Sequence, residues 1–165
     1  MYRKIEDFQK SWADETFATL KLLRSLTDES LSQKVTPEGR SLGFLAWHLV
    51  VTMTEMLGHV GLKIGGPIEI NEIPTDVKAI AEIYEKTANS VVNEVTKNWT
   101  DETLLLEDNP YGETWKRGIT LLYLINHLTH HRGQMTVLMR QANLNVFGVA
   151  GPSKEEGEAM GMFLP

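Results

Sequence analysis

A chain of 165 residues, 42% of them hydrophobic and 23% charged, is long enough to bury one hydrophobic core, and we expect a single domain over residues 1–165. Its net charge of −6, with no cluster of Lys and Arg, excludes the basic surface typical of nucleic-acid-binding proteins. Cysteine is absent, which excludes disulfides, thiolate ligands and a cysteine nucleophile. Any bound metal must therefore be held by nitrogen and oxygen atoms.

The beginning of the chain and its hydropathy predict a soluble, cytoplasmic protein. Residues 1–7 lead directly into charged amphipathic sequence, without the apolar segment of a signal peptide. Nowhere do about eighteen apolar residues follow one another, as a membrane-spanning helix requires. Neither a membrane nor a nucleic acid is expected as a partner.

Apolar residues at spacings of three and four predict the first two helices. The first ends near residues 27–30, and its apolar stripe consists of Ile5, Phe8, Trp12, Thr16, Leu20, Leu23 and Leu26. The second begins after Ser41, a plausible N-cap, and continues to Val60. Residues 65–67, Gly-Gly-Pro, stop it.

The third helix and a small hairpin follow. Thr75 is the predicted N-cap of this helix, which ends around Trp99. Residues 104–107 and 113–116 flank a turn at residues 108–112, whose composition is typical of a β-hairpin.

The last predicted helix extends from Ile119 to Asn143, and the tail after it is predicted to be irregular. Long amphipathic helices with few strands indicate an all-α four-helix bundle, with the small β-hairpin between helices 3 and 4. Every connection is long enough to cross the bundle, so loop length leaves the topology open.

Three of the five histidines lie in the last helix, and two of them are four residues apart. His127 and His131 lie one turn apart on the same face, so their rings can reach one metal ion. They lie at the edge of an apolar arc formed by Leu121, Leu124, Leu128, Met135, Met139 and Ala142. His130 falls instead on the flank turned away from the core, together with Asn126, Gln134 and Gln141. His127 and His131 are therefore the better metal ligands.

The second helix offers a third ligand. His48, Thr52, Glu55 and His59 share a narrow arc, at spacings of four, seven and eleven. A polar stripe among apolar residues either faces water or has a partner across the bundle, and a metal held by His48, His127 and His131 would supply that partner. Other interpretations stay open, because histidine pairs at this spacing also occur by chance. His59 fits a partly exposed histidine in the last turn of its helix, and Glu55 a solvated residue.

The run His-Leu-Thr-His-His-Arg-Gly-Gln at residues 127–134 has a more specific pattern than the histidine spacing alone. Together with residues 46–49 and 146–153, it resembles the DinB/YfiT-like bacterial superfamily, in order and spacing over most of the chain. The resemblance implies an up-down-down-up four-helix bundle, often a homodimer. It also implies a divalent metal bound by three histidines, which correspond to His48, His127 and His131.

Three imidazoles suit zinc, nickel or ferrous iron and leave a coordination position open for water or substrate. Such a metal can activate water for hydrolysis or bind a thiol. The better-understood relatives that the chain resembles are S-transferases that use low-molecular-weight thiols such as bacillithiol or mycothiol. A chain without cysteine needs an external thiol for that reaction.

Two functions are consistent with the sequence. The first is a metal-dependent enzyme of the thiol S-transferase or hydrolase type acting on a small molecule, with Glu55 as a candidate base or as support for the ligands. The second is a dimeric, stress-associated binding module without turnover, whose metal site is structural or empty. Because protons compete for imidazole, metal occupancy of the three histidines is expected to fall as the pH drops below about 6.

Overall fold

The computed structural model describes residues 1–70 and 72–162 and is built around a bundle of long helices. They are α1 (Ile5–Leu23), α2 (Leu42–Gly58), α3 (Val77–Asn98) and α4 (Arg117–Gln141). Between α3 and α4, strands β1 (Glu107–Asp108) and β2 (Trp115–Lys116) pair antiparallel, with Asp108 opposite Trp115. The predicted all-α bundle with a small hairpin is confirmed.

The order of the contacts between helices gives each helix its direction. Both α1 and α2 pack against α3 and α4. Gln9 contacts Thr96 and Arg24 contacts Glu85, so α1 and α3 run in opposite directions. Tyr2 contacts Gly118 and Glu15 contacts Arg132, so α1 and α4 run in the same direction. Helix α2 runs opposite to α4, since Leu45 shares a cavity lining with Leu138, and Met56 with Tyr123. The topology is therefore up-down-down-up.

The connection between α2 and α3, residues 59–76, returns the chain along the bundle because these two helices run in the same direction. Trp47 Nε1 donates a hydrogen bond of 3.1 Å to the carbonyl of Glu69, which fixes the connection against α2. Near its start the backbone passes close to α3, where a Cβ atom at Gly66 would lie 2.6 Å from Thr87 Oγ1. Glycine is needed at this point of close approach.

Several predicted boundaries are corrected. The N-cap of α3 is Asp76, whose carboxylate accepts a hydrogen bond from Lys78 N at 2.9 Å, and not Thr75. The hairpin is shorter than predicted, because residues 103–105 form a 3₁₀ turn and each strand has two residues. Helix α4 begins two residues before Ile119, directly after β2.

The tail is also more ordered than predicted. Helix α5 (Lys154–Ala159) begins with a capping box, in which Ser153 and Glu156 each accept a hydrogen bond from the other's backbone N–H. The prediction of an irregular tail is wrong for this segment, and residues 163–165 lie outside the described residues. Lys21 Nζ, 3.2 Å from Glu156, attaches the tail to α1.

The hydrophobic core lies between the four long helices and includes the apolar arc predicted for α4. Leu121, Leu124, Leu128, Met135 and Met139 are all buried, while Ala142 is partly exposed. Over the described ranges 1–70 and 72–162, the helices lack a stretch that is long and apolar enough to cross a membrane.

Candidate metal centre

The three histidines named from the sequence converge where α2 packs against α4. The Nε2 atom of His127 lies 3.0 Å from that of His48 and 3.1 Å from that of His131. A nitrogen atom from each ring lies within 4.8 Å of the other two. His127 and His131 are adjacent because they are one turn apart on α4. His48 lies next to them because α2 packs against α4.

These separations fit a single bound ion. Two nitrogen atoms held at about 2.0–2.1 Å from one ion are about 2.9 Å apart at a right angle and about 3.3–3.4 Å apart at the tetrahedral angle. The two separations at His127 fall in this interval. Each nitrogen of a neutral imidazole is either a donor or an acceptor, so His127 Nε2 can form a linear hydrogen bond with only one of its two neighbours at a time. A shared divalent cation would satisfy all three.

Gln134 orients one of these rings. The Nδ1 atom of His131 donates a hydrogen bond of 2.8 Å to Gln134 Oε1, so the proton of this ring is on Nδ1 and the Nε2 lone pair is free. The amide nitrogen of Gln134 donates in turn to His130 Nε2 at 3.2 Å. Gln134 was predicted to lie on the flank turned away from the core. It is exposed as predicted, but its side chain reaches back to His131.

The surroundings favour neutral imidazole rings. Burial, together with smaller effects of His131, His127 and Arg40, lowers the pKa of His48 to about 4. Burial also lowers the pKa of His127 and of His131. Metal ligation requires a neutral imidazole ring, and the lowered pKa values favour the neutral form of these histidines at neutral pH. Proton competition is then expected at a lower pH than the value of about 6 that ordinary histidines would give.

A cavity of about 510 Å³ opens beside the cluster, and His48 and His127 form part of its lining. Thr52 also lines it, with Oγ1 3.5 Å from His48 Nε2. The lining at the hairpin end consists of Glu55 and three aromatic residues, Tyr111, Trp115 and Tyr123. A small molecule in this cavity would touch the histidine cluster at one end and aromatic rings at the other.

Glu55 and His59, which were predicted to share an arc with His48, lie outside the histidine cluster. Glu55 is seven residues, or two turns, from His48, and its carboxylate lies 3.5 Å from His59 Nε2. His59 is the C-cap residue of α2 and exposed, which agrees with the simpler interpretation of this histidine. His130 is exposed on α4, on the predicted flank.

A buried ion pair between α1 and α4, one residue from His131 in sequence, was not predicted. Arg132, 3% exposed, donates to Glu15 Oε1 at 2.5 Å and to Thr19 Oγ1 at 2.9 Å. Burial raises the pKa of the Glu15 carboxyl, and the contact with Arg132 opposes this change. The pair joins α1 to α4 one residue after His131. Glu15 lies between apolar positions of the α1 stripe, and this position was the sequence signal that could have predicted its burial.

A sequence model described as the DinB family matches residues 1–162. The chain belongs to the DinB family. A protein of Bacillus subtilis (strain 168) named "Uncharacterized protein YrdA" is 43% identical to it over 165 residues, which cover all of this chain and 99% of that protein.

Solved structures show the same fold. A DinB-like protein from Bacillus cereus ATCC 10987 is 45% identical in sequence to this DinB family member and superposes with a TM-score of 0.87, over 90% of this chain and 99% of the other. The DinB-like protein YjoA from Bacillus subtilis superposes with a TM-score of 0.66 over 86% of this chain and 96% of its own. At 17% identity, that second likeness concerns the fold alone.

Proposed function

We propose that this DinB family member is a metal-dependent enzyme that binds a small molecule in the cavity beside the histidine cluster. One observation carries the proposal: the Nε2 atoms of His48, His127 and His131 converge, and two of these residues, His48 and His127, line a cavity of about 510 Å³. A closed structural site has four protein ligands, whereas three imidazoles leave a position for a substrate. The cavity gives that substrate a place to bind.

The residues divide into ligands and supports. His48, His127 and His131 would hold a divalent ion such as zinc, nickel or ferrous iron, and Gln134 keeps the His131 ring in the required tautomer. The bound ion would supply Lewis acidity, which lowers the pKa of a water molecule or thiol. Thr52, which also lines the cavity, places its Oγ1 atom 3.5 Å from His48 Nε2. Glu55 lies two turns away, so a role as base needs a substrate proton at that end of the cavity.

The reaction that we propose is attack of the sulfur of a low-molecular-weight thiol on an electrophilic carbon of the substrate. A C–S bond forms, the leaving group departs with the electron pair of the bond that breaks, and the thiol proton passes to solvent. Hydrolysis, with water in place of the thiol, is the related alternative. The chain has no cysteine, so the thiol would be an external cosubstrate. A homodimer remains part of the proposal, as the resemblance to the superfamily implies.

Cobalt substitution tests thiol binding directly. Protein loaded with Co²⁺ is titrated with low-molecular-weight thiols, and we expect a sulfur-to-cobalt charge-transfer absorption band that saturates with thiol concentration. His48→Ala is expected to lose the band, and His130→Ala, a matched substitution of an exposed neighbour, is expected to keep it.

The enzyme assay follows with the same proteins. Zinc-, nickel- and iron-loaded protein is mixed with a thiol and an electrophilic bimane, and separately with an activated ester without thiol. Metal-dependent turnover in the first assay supports thiol transfer, and turnover in the second supports hydrolysis. Absence of the cobalt band and of turnover in both assays, with metal bound, would contradict the enzyme and favour the binding module.

A further inference from the structure

The hairpin end of the cavity has an aromatic lining that the histidine cluster does not explain. The rings of Trp115 and Tyr123 are stacked, with centroids 4.5 Å apart and planes 18° apart, and Tyr111 lies 6.0 Å from Trp115. We call these three residues the aromatic wall. Tyr111 is held there in the left-handed region, with φ of 55°, a conformation that non-glycine residues rarely adopt.

The charge at this end of the cavity is negative. Glu55 lies beside the aromatic wall. Burial raises the pKa of the neighbouring Tyr111 phenol, and the Glu55 carboxylate raises it as well. The residues that line the cavity include neither Lys nor Arg. Arg117, at the base of the hairpin, is already paired with Asp108 at 2.8 Å. The ion pair of Glu55 with His59 exists only when that imidazole is protonated.

We propose that the aromatic wall and Glu55 form a subsite for a cationic group of the substrate, of the ammonium class, while the reacting end of the molecule lies at the histidine cluster. This inference rests on the proposed function, whose substrate class it specifies. Aromatic faces attract organic cations through the quadrupole of the ring, and a nearby carboxylate adds a direct Coulomb attraction. An anionic group finds no cationic partner at this end.

The length of the cavity separates the two ends. Glu55 and His48 are seven residues apart on α2, which is about 10 Å along a helix. The Glu55 carboxylate also offsets repulsion between a substrate cation and a metal ion at the histidines. A substrate whose cation and reacting group lie at different points along the cavity fits this arrangement.

Three probes that share one aromatic ring and differ in charge test this assignment. They are benzyltrimethylammonium, benzyl alcohol and benzenesulfonate; the quaternary nitrogen has no lone pair and cannot bind a metal. Binding is measured by calorimetry at pH 8, where an ordinary imidazole is neutral, on zinc-loaded and on metal-free protein. The indole N–H resonance of Trp115 reports whether the probe occupies this end.

We expect the cation to bind about five- to thirtyfold more tightly than benzyl alcohol, and the sulfonate to bind most weakly. Glu55→Gln should remove most of the preference, and Tyr123→Ala should weaken the cation more than the alcohol. Glu6→Gln is the matched control, because this exposed α1 carboxylate lies outside the cavity lining and its removal changes the net charge equally.

Equal affinities for the three probes, tighter binding of the sulfonate, no measurable binding, or a cation preference unchanged in Glu55→Gln would overturn the subsite. Zinc content is measured on the same samples. If the protein prefers the cation but does not bind zinc, the subsite stands and the metal enzyme is contradicted. If it binds zinc but shows no preference for the cation, the metal enzyme stands and the subsite is contradicted.

Discussion

His131 and Gln134, one turn apart on α4, are joined by a hydrogen bond of 2.8 Å between the imidazole Nδ1 and the amide oxygen. The bond fixes the ring so that its Nε2 atom faces His127 at 3.1 Å. Such outer contacts orient metal ligands and raise their basicity. The orientation of His131 in the cluster therefore depends on Gln134, which contacts the Nδ1 atom of the ring and leaves Nε2 facing the other two histidines.

Gln134→Ala is expected to lower the metal affinity about 10- to 100-fold, because the His131 ring loses its orientation and its preferred tautomer. Gln134→Glu should restore binding, since a carboxylate also accepts from Nδ1. Gln141→Ala, an exposed glutamine further along α4, is the matched control. Affinities come from competition with a zinc indicator, and nitrogen NMR shifts of His131 report the tautomer. Wild-type affinity in Gln134→Ala would contradict this role.

The stability of the metal-free protein is expected to depend on pH through His48. This ring has a pKa of about 4 in the folded protein and about 6.5 in the unfolded chain, so between these values the unfolded state binds more protons. Stability should therefore fall as the pH drops from about 6.5 to about 4 and then level off for this group. Urea unfolding with chelator present, from pH 7.5 to 4.5, measures the slope.

Two variants isolate the contribution of His48. His48→Gln should show a shallower loss of stability over this range, while His130→Gln, which alters an exposed histidine, should follow the wild type. Identical slopes for the wild type and His48→Gln would show that the ring titrates normally in the folded protein.

Breaking the buried pair of Arg132 and Glu15 is expected to destabilise the fold by about 3–5 kcal/mol, since Arg132→Met leaves an uncompensated carboxylate between α1 and α4. Arg140→Met removes one partner of an exposed pair with Glu155 and should cost less than about 1 kcal/mol. Urea unfolding of both variants gives the comparison. Equal costs would mean that burial adds nothing to the Arg132 pair.

Chelation is expected to leave the helices formed. The core between the long helices does not depend on the metal, so removal of the metal should subtract only the binding free energy, about 2.7 kcal/mol at a hundredfold excess of free ion over Kd. For a domain of this size that corresponds to a fall in Tm of about 5–10 °C. Helical circular dichroism before and after chelation checks it; loss of the helical signal at 25 °C would indicate a structural metal instead.

Local spacing and long-range packing contributed differently to what the sequence could predict. The helices follow from apolar periodicity, and the adjacency of His127 and His131 from one turn of helix. The position of His48 depends on how α2 packs on α4, which periodicity does not determine. The polar arc of the second helix made His48 a candidate partner, and the resemblance to the superfamily implied the same three histidines. Gln134 was assigned by the angle of its Cα around the helix, which ignores the reach of a long side chain.

Contacts between residues distant in sequence could not be predicted from local sequence patterns. Glu15 and Arg132 are 117 residues apart, and only the tertiary packing of α1 on α4 makes each the partner of the other. The aromatic wall likewise joins Tyr111 and Trp115 of the hairpin to Tyr123 of α4. The turn composition predicted a hairpin there, but not which side chains it would place against the cavity.

The metal content of the purified protein and of four single alanine variants tests the three-histidine site most directly. After reconstitution with zinc and removal of the excess, elemental analysis should find one ion per chain in the wild type and in His130→Ala. It should find almost none in His48→Ala, His127→Ala and His131→Ala, with circular dichroism confirming that each variant is folded. Loss of zinc only in His130→Ala, or full retention in all three ligand variants, would contradict the site.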